Sequence, residues 1–122
     1  MQYTIKVTTV GSAGSAVGAT TQSLPVAGYL EAVKIDYHAS APATTDVNIN
    51  EVGGLGRTLL TVANNATDTT YYPRPAIHSA SGVASATAVD LYYLDPCRIQ
   101  VGVAGSDALT DVVTVTIQMR GV

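Results

Sequence analysis

The chain contains no tryptophan and no phenylalanine, and charged residues fill only 12% of its 122 positions. Without those two aromatics, the large members of a core must come from the seven tyrosines plus leucine, isoleucine and valine. A buried tyrosine needs a partner for its hydroxyl, so several tyrosines are expected at the core margin or in an interface. The charge content is about half the usual share. Threonine, serine, asparagine and glutamine must therefore cover the outside, and threonine suits an outward strand position because its β-branch fits the pleat. A surface with few charges repels neighbours weakly, which suits a protein packed against others.

Other scarcities exclude function classes. The six basic residues are scattered and the net charge is −3, so no run of Lys and Arg is present to neutralise phosphates, and nucleic acid is not an expected partner. The single cysteine, Cys97, cannot form an internal disulfide. Its alternation with Ile99 and Val101 reads as a buried small hydrophobe, and no basic neighbour in sequence would activate the thiol. No cationic segment followed by an apolar run opens the chain, and no stretch is long or apolar enough to span a membrane. The expectation is a soluble protein made in a cytoplasm, with no membrane partner.

What is present is a two-residue repeat. Val113, Val115, Ile117 and Met119 fall on one side of the C-terminal stretch, and Thr114, Thr116, Gln118 and Arg120 fall on the other. Strands place successive side chains on opposite faces, so this is a half-buried strand. The same alternation predicts strands over about residues 2–10, 28–38, 46–50, 57–63, 88–94 and 97–103, with a short one at 19–24. The 57–63 segment is apolar on both sides, which suggests cover on both faces. Val52-Gly53-Gly54-Leu55-Gly56 reads as a hairpin turn, Asp95-Pro96 and residues 104–107 as turns, and residues 78–86 as a loop. At this length the chain is one domain over residues 1–122, with residues 1–27 read as an N-terminal strand plus a flexible arm or loop. The fold class is all-β: a two-sheet antiparallel β-sandwich of seven to nine short strands, jelly-roll-like or immunoglobulin-like in order.

Reactive constellations are not apparent. Only His38 and His78 offer a base for a catalytic triad, one beside Asp36 on a strand and one in a loop, and no Gly-x-Ser-x-Gly elbow occurs. Glu31, Glu51, Asp90 and Asp95 can be nominated as paired carboxylates, but four scattered acids meet by chance. Asp90 with Asp95, or Asp107 with Asp111, could hold calcium, yet turn and capping roles are commoner for aspartate. No catalytic residue, cofactor or metal site is expected. The best functional candidate is Tyr71-Tyr72-Pro73-Arg74-Pro75. Tyrosine and arginine favour interface centres, and prolines hold the backbone extended, so Tyr71, Tyr72, Pro73 and Arg74 form a candidate protein interface. The competing reading is an edge segment whose tyrosines fold inward to fill a core lacking larger aromatics.

Three segments together carry a resemblance. These are Ile35-Asp36-Tyr37-His38-Ala39-Ser40-Ala41-Pro42-Ala43-Thr44-Thr45-Asp46-Val47, then Thr67-Asp68-Thr69-Thr70-Tyr71-Tyr72-Pro73-Arg74, then Asp107-Ala108-Leu109-Thr110-Asp111 with its closing strand. Over about residues 28–120 the chain resembles small proteins from the structural-gene regions of tailed bacteriophages, namely head-decoration (cement) proteins and related virion accessory proteins. The resemblance implies a non-enzymatic structural role on the virion's capsid surface, clamping neighbouring subunits of the major capsid protein, with self-association and a homotrimer favoured. It leaves residues 1–27 unmatched, a candidate capsid-hooking arm. Competing readings are a tail, fibre or neck component, and a carbohydrate-binding sandwich with Tyr71, Tyr72, Tyr92 and Tyr93 as stacking platforms.

Overall fold

Alternation along the sequence becomes ten strands and no helix among residues 1–121, which the computed structural model describes. In chain order they are β1 (Gln2–Val7), β2 (Ala16–Thr21), β3 (Val26–Tyr37), β4 (Asp46–Val52), β5 (Thr58–Val62), β6 (Thr69–Tyr71), β7 (Ala76–His78), β8 (Ala84–Val89), β9 (Tyr92–Ser106) and β10 (Val113–Arg120). Every pairing is antiparallel. One layer runs β1-β10-β3, with β6 and the start of β9 along the far side of β3. The other runs β2-β9-β4-β5. The layers pack as a β-sandwich around Leu30, Val33, Ile35, Val47, Ile49, Leu94, Ile99, Val101, Val115 and Ile117, all at 1% exposure or less. No phenylalanine is required because β-branched side chains from both inner faces interdigitate.

Two bulges explain where the two-residue repeat breaks. On β3 the inward set is Val26, Gly28 and Leu30, then Val33 and Ile35, a change of parity at Glu31-Ala32. The register against β10 shifts at that point, with Gln118 opposite Ala32 and Met119 opposite Leu30. On β9, Leu94 and Cys97 both face inward although three residues apart. Cys97 pairs with Val26 and Leu94 with Gly28, so Asp95 and Pro96 together oppose Ala27. A proline removes a ladder donor, and an inserted residue absorbs that loss without ending the strand. The expected Asp95-Pro96 turn is therefore a bulge inside one fifteen-residue strand, which also continues through the expected turn at Gly105.

Further differences follow from the neighbours each segment finds. Residues 78–86, expected as a loop, supply the end of β7, a tight turn and the start of β8. These short pieces raise the count to ten. Residues 57–63 are not covered on both faces: Thr58 and Thr61 are exposed, Leu60 and Val62 pair with the inward Ile49 and Val47, and Leu59 is buried at the bulge between them. Residues 1–27 form β1, a loop closed by the Val10–Val17 bridge, β2, and the entry to β3. The hairpin expected at residues 52–56 joins β4 to β5.

Gly18, Gly28 and Gly105 sit where backbones touch. A Cβ on Gly28 would collide with the Arg120 carbonyl oxygen, and Gly28 has φ +118, a conformation side chains disfavour. A Cβ on Gly18 would collide with the Thr8 carbonyl where β2 crosses the end of β1. By contrast, a Cβ on Gly102 meets nothing within 4 Å. Gly28→Ala is expected to cost about 2–3 kcal/mol in urea unfolding, and Gly102→Ala to remain within about 0.5 kcal/mol of the parent.

Candidate functional site

Three surface features combine exposure with defined geometry: the segment Tyr71–Arg74, the β7–β8 hairpin, and a tyrosine–arginine row with an adjoining hollow.

The first begins as β6, whose Tyr71 pairs with Val33. Tyr71 turns inward, is half-buried, and its Oη accepts a hydrogen bond from Asn65 Nδ2 at 3.2 Å. Tyr72 points the other way and is 67% exposed. Pro73 is buried, and it ends the pairing because it has no N–H. Arg74 Nη1 donates to the Glu31 carbonyl at 3.0 Å and to the Pro73 carbonyl at 2.8 Å. Its guanidinium satisfies carbonyls at the β3 bulge. Tyr72 is thus the outward member of the segment, and Arg74 holds its base.

From that base the chain enters β7 and β8. Asp90 N–H bonds to the Pro75 carbonyl, and Ala76 lies opposite Val89. Neither strand makes more than marginal contact with any other strand. Ile77, Val83 and Val89 are exposed at 47%, 67% and 53%. Between Ala76 and Val89 there is no Lys, Arg, Asp or Glu. Cross-strand partners share a face, so Val89 lies with Ala76 and Ile77 faces the opposite side.

The third feature crosses three strands. Arg120 lies opposite Tyr29, and Tyr29 opposite Tyr93. The two rings meet edge-on at 5.3 Å with a 62° interplanar angle, and the Arg120 guanidinium sits 5.3 Å from the Tyr29 centroid. Beside Tyr93 is a hollow of about 140 Å³ lined by Glu51, Gly54, Leu55, Arg57, Tyr93 and Asp95. Glu51 continues the inward row of Val47 and Ile49, which places its carboxylate inside the sandwich end. Arg57 answers it from across the hairpin: Nη2 to Oε1 at 2.6 Å, Nε to Oε2 at 3.0 Å, and its own N–H to Oε2 at 3.0 Å. The same guanidinium donates to the Tyr93 carbonyl at 2.7 Å and lies 5.1 Å from the Tyr92 ring centroid. Burial alone would raise the Glu51 carboxyl, but the Arg57 hydrogen bonds and charge outweigh it and hold the group below its ordinary value. A carboxylate clamped this way is poorly suited to donate a proton.

Of the four nominated carboxylates, only Glu51 and Asp95 line this hollow. His38 is exposed at the end of β3, and its Nδ1 accepts from Ser40 N–H at 3.0 Å; His78 is exposed at the end of β7. Burial pushes the Cys97 thiol up, with the Glu51 charge adding to the effect, so it is not an activated nucleophile. Asp90 Oδ1 accepts locally from Leu91 N–H at 2.7 Å, whereas Asp107 Oδ1 ties in the distant loop after β1 by accepting from Gly14 N–H at 2.9 Å. Asp111 lies at φ +49 and donates its N–H to Thr8 Oγ1 at 3.2 Å. Among the described residues no three His, Cys, Asp or Glu side chains gather as metal ligands. Of the four tyrosines considered as sugar platforms, Tyr72 and Tyr93 are exposed while Tyr71 and Tyr92 are half-buried. Comparison with family models, curated proteins and solved structures finds no match to this chain.

Two titrations report on these groups. Glu51 ionises more readily in the folded chain, so its stabilising contribution is present above its ordinary value of 4.5 and is lost as pH falls through the lower native value. Urea unfolding from pH 7 to pH 3 is expected to show that acid loss, and Glu51→Gln to remove it. Arg57→Ala is expected to cost about 2 kcal/mol at neutral pH, because it strands the carboxylate. Burial, with Tyr71 and Asp68 nearby, pushes the Tyr37 hydroxyl from 10.0 to about 12 against an opposing pull from the Asn65 side chain, which lies too far out of line to satisfy the buried Oη. Its raised value means stability falls as pH climbs from 10 towards 12. Tyr37→Phe is expected to remove that alkaline loss and to leave neutral-pH stability equal or up to about 1 kcal/mol higher.

Proposed function

We propose that the chain is a structural virion protein that decorates and cements a bacteriophage capsid from outside, binding across neighbouring subunits of the major capsid protein. One observation carries the gripping part of this reading: the β7–β8 hairpin stands off the sandwich with apolar side chains on both faces and no Lys, Arg, Asp or Glu along residues 76–89. An isolated two-stranded hairpin is marginal in water and gains stability when a surface covers it. A groove between two shell subunits would cover both faces at once. Tyr72, held outward at the hairpin's base, supplies the aromatic anchor that interfaces favour. The identity of the shell as a phage capsid comes from the sequence resemblance. No catalytic step, cofactor or nucleic acid enters this role, and the place of action is the virion surface.

Grip of this kind is additive. Each copy adds a modest interface to several subunits, and shell rupture must break many such contacts together. A tail, fibre or neck position is the runner-up, and gold or antibody labelling of particles separates it by location. The exposed rings of Tyr72 and Tyr93 favour glycan binding as a third reading, which a glycan array without hits would remove.

Co-sedimentation with purified virions or shells is the direct test, and absence from purified particles sinks the reading. Tyr72→Ala is expected to weaken shell binding by about 1–3 kcal/mol while the protein stays folded. The triple variant Ile77→Ser, Val83→Ser, Val89→Ser is expected to abolish co-sedimentation. It should leave the unfolding midpoint of the body nearly unchanged, since each substituted side chain is exposed.

A further inference from the structure

The sandwich treats its strand edges unequally. On one side the edges of the two layers meet: Thr20 Oγ1 on β2 bonds to the Lys6 carbonyl of β1 at 2.7 Å, and Val10 bridges Val17 just beyond. Lys6 itself is an exposed charge on that edge. On the other side β5 ends its layer, and among the described residues no hydrogen bond outside the β4 ladder reaches the backbone of Thr58–Val62. Unpaired edges are templates for another strand unless blunted by lysine, proline or inward charge. The β5 strand, Thr-Leu-Leu-Thr-Val, has none of these, and no ionisable side chain occurs from residue 58 to residue 67. Its one irregularity is the bulge that places Leu59 between the pairs Asn50–Thr58 and Ile49–Leu60.

We infer that the outer edge of β5 pairs antiparallel with the same edge of a second copy of this chain, about a twofold axis near Leu60. A strand edge is self-complementary under a twofold, because each outward N–H meets an outward carbonyl of its mate. Charge points to the same occupant. For a chain of net charge −3 a neutral stretch meets its own copy with little repulsion, and β5 with its following loop, free of ionisable side chains from residue 58 to residue 67, is such a stretch. Leu60 is half-buried against the core, and the second copy's Leu60 would complete its cover. Thr58 and Thr61 are exposed and would flank that contact. The pairing joins two β2-β9-β4-β5 layers into one continuous sheet. It stands independently of any role on a capsid.

Sedimentation equilibrium of the full chain from about 1 μM to 1 mM tests it. The expected result is a monomer–dimer equilibrium. Thr61→Lys and Thr61→Glu are each expected to weaken dimerisation by roughly tenfold or more through like charges placed diagonally across the twofold. Both variants keep the parent's unfolding midpoint, because Thr61 is exposed, and an equimolar mixture of the two recovers the dimer. Hydrogen exchange at residues 58–62 should slow as protein concentration rises. A parent that stays monomeric throughout, a trimer (which needs a heterologous contact), or charge variants that dimerise as well as the parent would each overturn the inference. Shell binding that persists in a monomeric variant separates this contact from the hairpin's.

Discussion

One strand serves both layers, and the sandwich depends on it. Tyr92 to Cys97 run beside β3 in the first sheet, and from Arg98 onward the same strand lies beside β4 in the second. From Gln100 to Ser106 it has β2 on its other side as well. Ile99 and Val101, fully buried midway, thus have backbone neighbours on both sides, while successive residues of the strand bond alternately to one and the other. The Asp95-Pro96 bulge sits where the strand leaves one sheet for the other. A bulge bends its strand and raises local twist, and a strand that changes layers needs both. Glu51 and Arg57 close the sandwich at this corner, with Arg57 reaching the carbonyl of Tyr93.

The surface divides along the same line. Where β1 and β2 meet, the two layers close on each other, and the charge of Lys6 stays in water. On the opposite side lie the free edge of β5, the outward Tyr72 and the bare hairpin. Low charge alone does not make a surface adhesive; the proposed contacts rest on low charge together with an open backbone edge and the exposed Ile77, Val83 and Val89. The proposed partners differ by feature. A cleft that covers both faces suits the hairpin, and a twin of itself suits β5.

Much of the fold was legible because alternation is local. The C-terminal strand needed only its own eight residues, and the glycine-rich hairpin at residues 52–56 needed only turn chemistry. What misled was parity. Leu30 with Val33, and Leu94 with Cys97, look like breaks in a strand until a partner's register shows each as a bulge, and no single sequence carries its partner's register. β5 reads as doubly covered because Leu59 and Leu60 are adjacent, whereas a bulge lets both pack from an edge. At the candidate site, the division of labour between Tyr71 and Tyr72 follows from alternation beside a proline. The Arg120–Tyr29–Tyr93 row was invisible, since its members lie 27 to 91 positions apart and only strand order assembles them. Glu51 did leave a trace: a carboxylate continuing the inward row of Val47 and Ile49 needs a cation, and Arg57 stands across the turn.

The slot between β1 and β3 is filled by β10, the strand that leaves the ribosome after all the others described. Met1 meets Met119 there through hydrogen bonds in both directions. Until residues 113–120 emerge, β1 has no mate in its layer and the inner faces of two sheets stay open. Nascent chains therefore carry uncapped apolar strands until those residues emerge, and pairings of such long sequence separation form slowly. A cell that makes many copies at once would have to shield these chains with chaperones or keep synthesis slow enough that each closes before it meets another.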